Sequence, residues 1–81
     1  MMTIELNLRY YLQVACPPDP QKNQKPVFHN FAEWLNEEQG QLRCCDEVGE
    51  FIIFDTYKEA EQQAQKIAKF FYIVEVKEYV A

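Results

Sequence analysis

Asn30-Phe31-Ala32-Glu33-Trp34-Leu35-Asn36-Glu37-Glu38-Gln39-Gly40 is the stretch on which the fold depends, since the element it forms sets the order of all the others. Asn30 can cap a helix, with Glu33 three residues on as its capping-box partner. Phe31, Trp34 and Leu35 fall on one helical face, and Glu33, Glu37 and Glu38 lie elsewhere. Gly40 stands where a left-handed residue would end the helix. The spacing predicts a helix over Phe31 to Gln39.

Upstream, Ile4, Leu6, Leu8, Tyr10, Leu12 and Val14 alternate with Glu5, Asn7, Arg9, Tyr11 and Gln13. Apolar positions at period two predict a long strand with one covered face, as in an antiparallel sheet. Pro17, Pro18, Pro20 and Pro26 then stop the strand, because proline cannot donate to a ladder. The segment from Cys16 to Pro26 reads as a polar loop, and Pro17 to Pro26 within it is expected to be the most mobile internal part of the chain.

Downstream, Gln41 to Asp46 and Glu50 to Phe54 read as two strands, joined at Glu47-Val48-Gly49 with glycine in a left-handed position. The second of these is apolar on both faces, which suits a central place in the sheet. Thr56 caps a further helix, with Glu59 as capping-box partner. Tyr57, Ala60, Ala64, Ile67, Ala68 and Phe71 share its apolar stripe. A last strand spans about Phe71 to Glu78, with Val74 and Val76 inward and Glu75 and Lys77 outward.

The order is β-α-β-β-α-β, and it resembles the ferredoxin-like split βαβ arrangement. That resemblance implies an α+β fold with a four-stranded antiparallel sheet, two helices on one face, and the first and third strands central. Leu6, Leu8, Tyr10, Leu12, Trp34, Leu35, Ile67 and Val74 are the expected core. A fold of this kind hosts many functions and selects none.

Residues 1–81 read as a single domain. Hydrophobic residues make up 48% of the chain and aromatics 15%, enough for a packed core. Eight basic and thirteen acidic residues give a net charge of −5, which argues against a nucleic-acid duplex as partner. The chain has no serine, one histidine (His29) and two glycines (Gly40, Gly49), which removes a serine hydrolase, a glycine-rich phosphate loop and a dinucleotide fingerprint. No apolar run approaches the ~20 residues of a membrane span, and the N-terminus lacks a basic leader. The expectation is a cytoplasmic protein without a membrane partner. Its three cysteines (Cys16, Cys44 and Cys45) are then thiols.

Those cysteines with His29 do not fit zinc, because the only close pair is adjacent and neighbouring strand residues face opposite ways. No metal and no cofactor is expected. Cys16 and His29 flank the proline-rich loop and could form a thiolate–imidazole pair. The plainer reading makes Cys16 a buried strand end and His29 a residue ahead of a helix cap. Glu33, Glu37, Glu38, Asp46, Glu47 and Glu50 form an acidic stretch, either a solvated surface or a mimic of nucleic-acid phosphates.

The most informative surface is the sheet face away from the helices. Arg9, Tyr11 and Gln13 point to it from the first strand, and Ile73, Glu75, Lys77 and Tyr79 from the last. Either Phe51 and Ile53 or Ile52 and Phe54 join them. Aromatic and aliphatic side chains with scattered charge suit a protein-facing surface, since the Lys/Arg-Gly-Phe/Tyr pattern of an RNA-recognition sheet is absent. The expectation is a non-enzymatic interaction or regulatory module. It would bind a protein partner, or a second copy, through Arg9, Tyr11, Gln13, Ile73, Glu75 and Lys77. The alternatives are an acidic inhibitor that occupies a basic groove on a nucleic-acid enzyme, and a small enzyme or redox protein built on Cys16 and His29.

Overall fold

A computed structural model describes residues 8–18, 21–23 and 25–80. The elements run β1 (Leu8–Ala15), β2 (His29–Asn36), β3 (Gln41–Cys44), α1 (Tyr57–Ala68) and β4 (Ile73–Val80). Together the strands form one antiparallel sheet in the order β3-β2-β1-β4. The fold is α+β, but the two-helix ferredoxin-like order β-α-β-β-α-β does not hold. Among the described residues there is one helix, and the order is β-β-β-α-β. The expected start of the first strand at Ile4, and Leu6 in the core, lie outside the described residues.

The correction falls on Phe31–Gln39, where strand β2 replaces the helix. Pairing with β3 explains the misleading spacing. Phe31 faces Cys44, Glu33 faces Arg43, Trp34 faces Leu42 and Asn36 faces Gln41, with register shifts at each of the two steps that skip a residue. Each shift is a bulge, which sets two residues of one strand against one of its partner. A bulge between Phe31 and Glu33 lets Phe31 and Trp34, three apart, reach the same face, as they would on a helix. Their rings meet edge to face at 5.6 Å. Leu35, expected in the core, falls at the second shift and is 62% exposed. Gly40 does adopt a left-handed backbone, φ +72°, but it closes the tight turn between β2 and β3.

The second helix is where the sequence places it. The Thr56 hydroxyl accepts the Glu59 N–H at 3.2 Å, and Ala60 and Ile67 are fully buried. Small Ala60 lets the helix sit close on the sheet, over Leu12, Val14 and Phe31. Tyr10, Trp34, Val74 and Val76 complete that layer. Two further expectations change: Leu8, expected in the core, is 38% exposed at the start of β1, and Phe71, expected on the helix's apolar stripe, is 85% exposed with φ +67°, just past the helix end.

Residues 51–54 form a strap instead of a full strand. β1 and β2 pair directly only at Gln13–Asn30 and Val14–His29. Beyond that point the strap enters between them. Phe54 exchanges hydrogen bonds with Tyr10 (2.9 and 2.7 Å), and the Ile52 N–H donates to the Phe31 carbonyl at 3.1 Å. The full central strand expected over Glu50 to Phe54 therefore does not form; one isolated bridge, Tyr10–Phe54, does.

Candidate functional site

The sheet alternation and the β1–β4 register decide which side chains share the face opposite α1. Arg9 stands opposite Tyr79, Tyr11 opposite Lys77, Gln13 opposite Glu75 and Ala15 opposite Ile73. All six residues singled out from the sequence (Arg9, Tyr11, Gln13, Ile73, Glu75, Lys77) are thus on one face. The open choice in the strap is also resolved. Ile52 and Phe54 pack with the core under the helix, and Phe51 lies on the other side.

Phe51 organises the centre of this face. Its ring lies 5.4 Å from that of Tyr11 and 6.2 Å from that of Tyr79, and the two tyrosine rings are 6.2 Å apart. Phe51 is buried beneath the cluster, whereas Tyr11 and Tyr79 remain half-buried at its surface. Such edge-on and tilted contacts fix ring orientation, so the patch is pre-organised. Charge frames it. Lys77 Nζ lies 3.0 Å from Glu75, and Arg9 Nε lies 3.6 Å from Asp55. No helix covers this face among the described residues.

The second candidate is an open cleft of about 400 Å³ at the other end of β1. Cys16, Pro17, Val27, His29, Cys44 and Tyr72 line it, so Cys16 and His29 do meet one cavity. Sequence reasoning missed a third group. Asp46 Oδ2 lies 3.0 Å from His29 Nδ1, and Asp46 Oδ1 accepts the Asn30 N–H at 2.8 Å. That backbone hydrogen bond and the His29 contact hold the Asp46 carboxyl below its ordinary range. An ionised carboxylate can only accept, so Nδ1 carries the proton. The only signal that could have found this pair is the strand register that sets Cys45 beside Asn30.

The chemistry of the cleft stops there. Among the described residues no hydrogen bond joins Cys16 or Cys44 to His29, and all three cysteines are free. Burial, helped by Asp46 and Cys16, pushes the Cys44 thiol up, which keeps it protonated and a poor nucleophile at neutral pH. Among the described residues no group of three or more His, Cys, Asp or Glu side chains converges as a metal site would need.

The acidic stretch is likewise divided. Glu33 pairs with Arg43 at 3.3 Å, Glu37 with Lys66 at 3.2 Å, and Asp46 with His29. No helix among the described residues is long and apolar enough to cross a membrane. Comparison of the chain with protein-family models, with curated proteins and with solved structures finds no match.

Proposed function

We propose that this domain is a protein-interaction module whose binding surface is the helix-free sheet face. The observation that carries the reading is the Tyr11–Phe51–Tyr79 ring cluster, held by mutual ring contacts on a face that no helix among the described residues covers, and ringed by Arg9, Glu75 and Lys77. Aromatic side chains that are already ordered lose little entropy on binding and bury a large area. Each fully buried one contributes roughly 1.5–3 kcal/mol before association costs. The acidic-decoy reading is weaker, because Glu33, Glu37 and Asp46 already face basic partners of the same chain. A thiol enzyme is weaker too, since neither cleft thiol engages His29.

The test is affinity capture from a native extract with wild-type, Tyr11→Glu and Ile73→Lys baits, scored by quantitative mass spectrometry. The expected outcome is a partner captured by the wild type at both low and moderate salt, retained by Cys16→Ser, and lost by both face variants. Capture that collapses with salt would favour the acidic decoy instead. Equal capture by Tyr11→Glu and wild type would refute the face as the binding surface.

A further inference from the structure

Among the described residues, β4 is an edge strand with a hydrogen-bonded neighbour, β1, on one side only. Its eight residues contain no proline or glycine and include Ile73, Val74, Val76, Tyr79 and Val80, all strong strand formers. The opposite edge, β3, has only four residues. A long regular edge leaves a row of backbone donors and acceptors open to another strand, and proteins usually blunt such an edge with charge or a bulge. On β4 the charges of Glu75 and Lys77 offset each other on the helix-free face, 3.0 Å apart, and the one remaining charge, Glu78, lies on the other face.

We infer that the β4 edge pairs antiparallel with the β4 edge of a second copy of this chain, about a two-fold axis at Val76, so that Glu75 of each copy faces Lys77 of the other. The inference rests on the reading of the domain as a binding module and names a partner for the border of that face. The charge pattern selects the register. Centring on Val76 sets Glu75 against Lys77 twice and Ile73 against Tyr79 twice, all on the helix-free side. Among registers that keep both helices on one side of the joined sheet, centring on Glu75 opposes two glutamates, and centring on Lys77 opposes two lysines. Directly opposed like charges destabilise a strand pair, and opposite charges support it. Pairing by this edge makes one eight-stranded sheet and leaves both ring clusters uncovered on a single continuous face.

Charge exchange tests the register with purified protein. Light scattering and native mass spectrometry at ~100 μM would detect a micromolar dimer. The wild type is expected to dimerise. Glu75→Lys alone opposes Lys77 with a second positive charge, and Lys77→Glu alone opposes Glu75 with a second negative one, so each should weaken self-association at least about tenfold. In an equimolar mixture of the two variants, a mixed dimer sets opposite charges at both pairings in the same register, so mixing should restore association. The deciding arm is the double variant E75K/K77E, which keeps the in-strand ion pair and restores opposite charges at both pairings, so it should fold and dimerise like the wild type. Far-UV circular dichroism checks that each variant is folded. A wild type that stays monomeric, a double variant that does not associate, or a dimer indifferent to Glu75→Lys overturns the inference. Association that ignores the charge exchange yet is lost in Tyr11→Glu overturns the edge and leaves the face reading standing. Edge pairing should survive Tyr11→Glu, because Tyr11 lies one strand in from the edge.

Discussion

Asp46 joins β2 to the loop after β3 through one carboxylate, with one oxygen on the Asn30 N–H and the other on His29. Both contacts favour the charged form, and its pKa is lowered in the folded state. The sign follows directly. A group with a depressed folded pKa contributes stability in full above its unfolded value and loses it as pH falls through the folded value. Comparing urea unfolding of wild type and Asp46→Asn across a pH series should therefore show a constant difference near neutrality. That difference should shrink below the ordinary carboxylate range. A difference unchanged into strong acid would mean that the Asp46 contacts do not form. The sequence placed Asp46 only in the acidic stretch and not beside His29, because its partners lie sixteen and seventeen positions away and meet it only once the β2–β3 register is set. The six face residues were legible because strand alternation is local and needs no partner to be read.

At the scale of elements, the turn between β2 and β3 is pinned to the far end of the helix. Lys66 reaches Glu37, the Tyr72 hydroxyl donates to the Gly40 carbonyl at 3.2 Å, and the Phe70 ring lies against Gly40 itself. A Cβ on Gly40 would stand 2.3 Å from that ring, at a φ that side chains rarely adopt. Gly49 also has a positive φ, +91°, but open space around it. Gly40→Ala should therefore cost about 2–4 kcal/mol, with backbone strain and overpacking combined. Gly49→Ala should cost about 1–2 kcal/mol from strain alone. Equal losses in thermal or urea unfolding would show that the Phe70 ring moves aside freely. This turn also shows why the first predicted helix failed. A left-handed glycine closes a helix and a hairpin equally well, and a bulged strand repeats its buried side chains at helical spacing. An isolated helix this short is marginal in water, so tertiary pairing decides between the two. The helix α1 was legible because its cap, its acidic first turn and its small-residue stripe all agree.

At the scale of the molecule, the strap from Phe51 to Phe54 fills the gap where β1 and β2 diverge beyond their direct pairing at Gln13–Asn30 and Val14–His29. It is held from both sides. Phe51 joins the ring cluster on the open face, while Ile52 and Phe54 pack under the helix. Its apolar character on both faces was legible in the sequence. Its failure to form a full strand was not, because that depends on how far β1 and β2 separate. The arrangement makes the open face and the core share one support, since loss of the strap would disturb the tyrosines above it and the helix contacts below. Amide exchange should reveal this. The Ile52 and Phe54 N–H groups donate to Phe31 and Tyr10 and should exchange about as slowly as the interior of β1, although turns flank the strap. The Val48 and Gly49 amides in the preceding turn should exchange fast. Phe51→Ala removes the anchor on the open face and should cost about 3 kcal/mol. It should also speed exchange at Ile52 and Phe54 more than at Val74 and Val76, whose strand β4 pairs with β1 on the other side. Exchange at Ile52 and Phe54 as fast as at Val48 would mean that β1 and β2 are not bridged by the strap. The ring cluster would then lack the rigid base on which its proposed role as a binding surface depends.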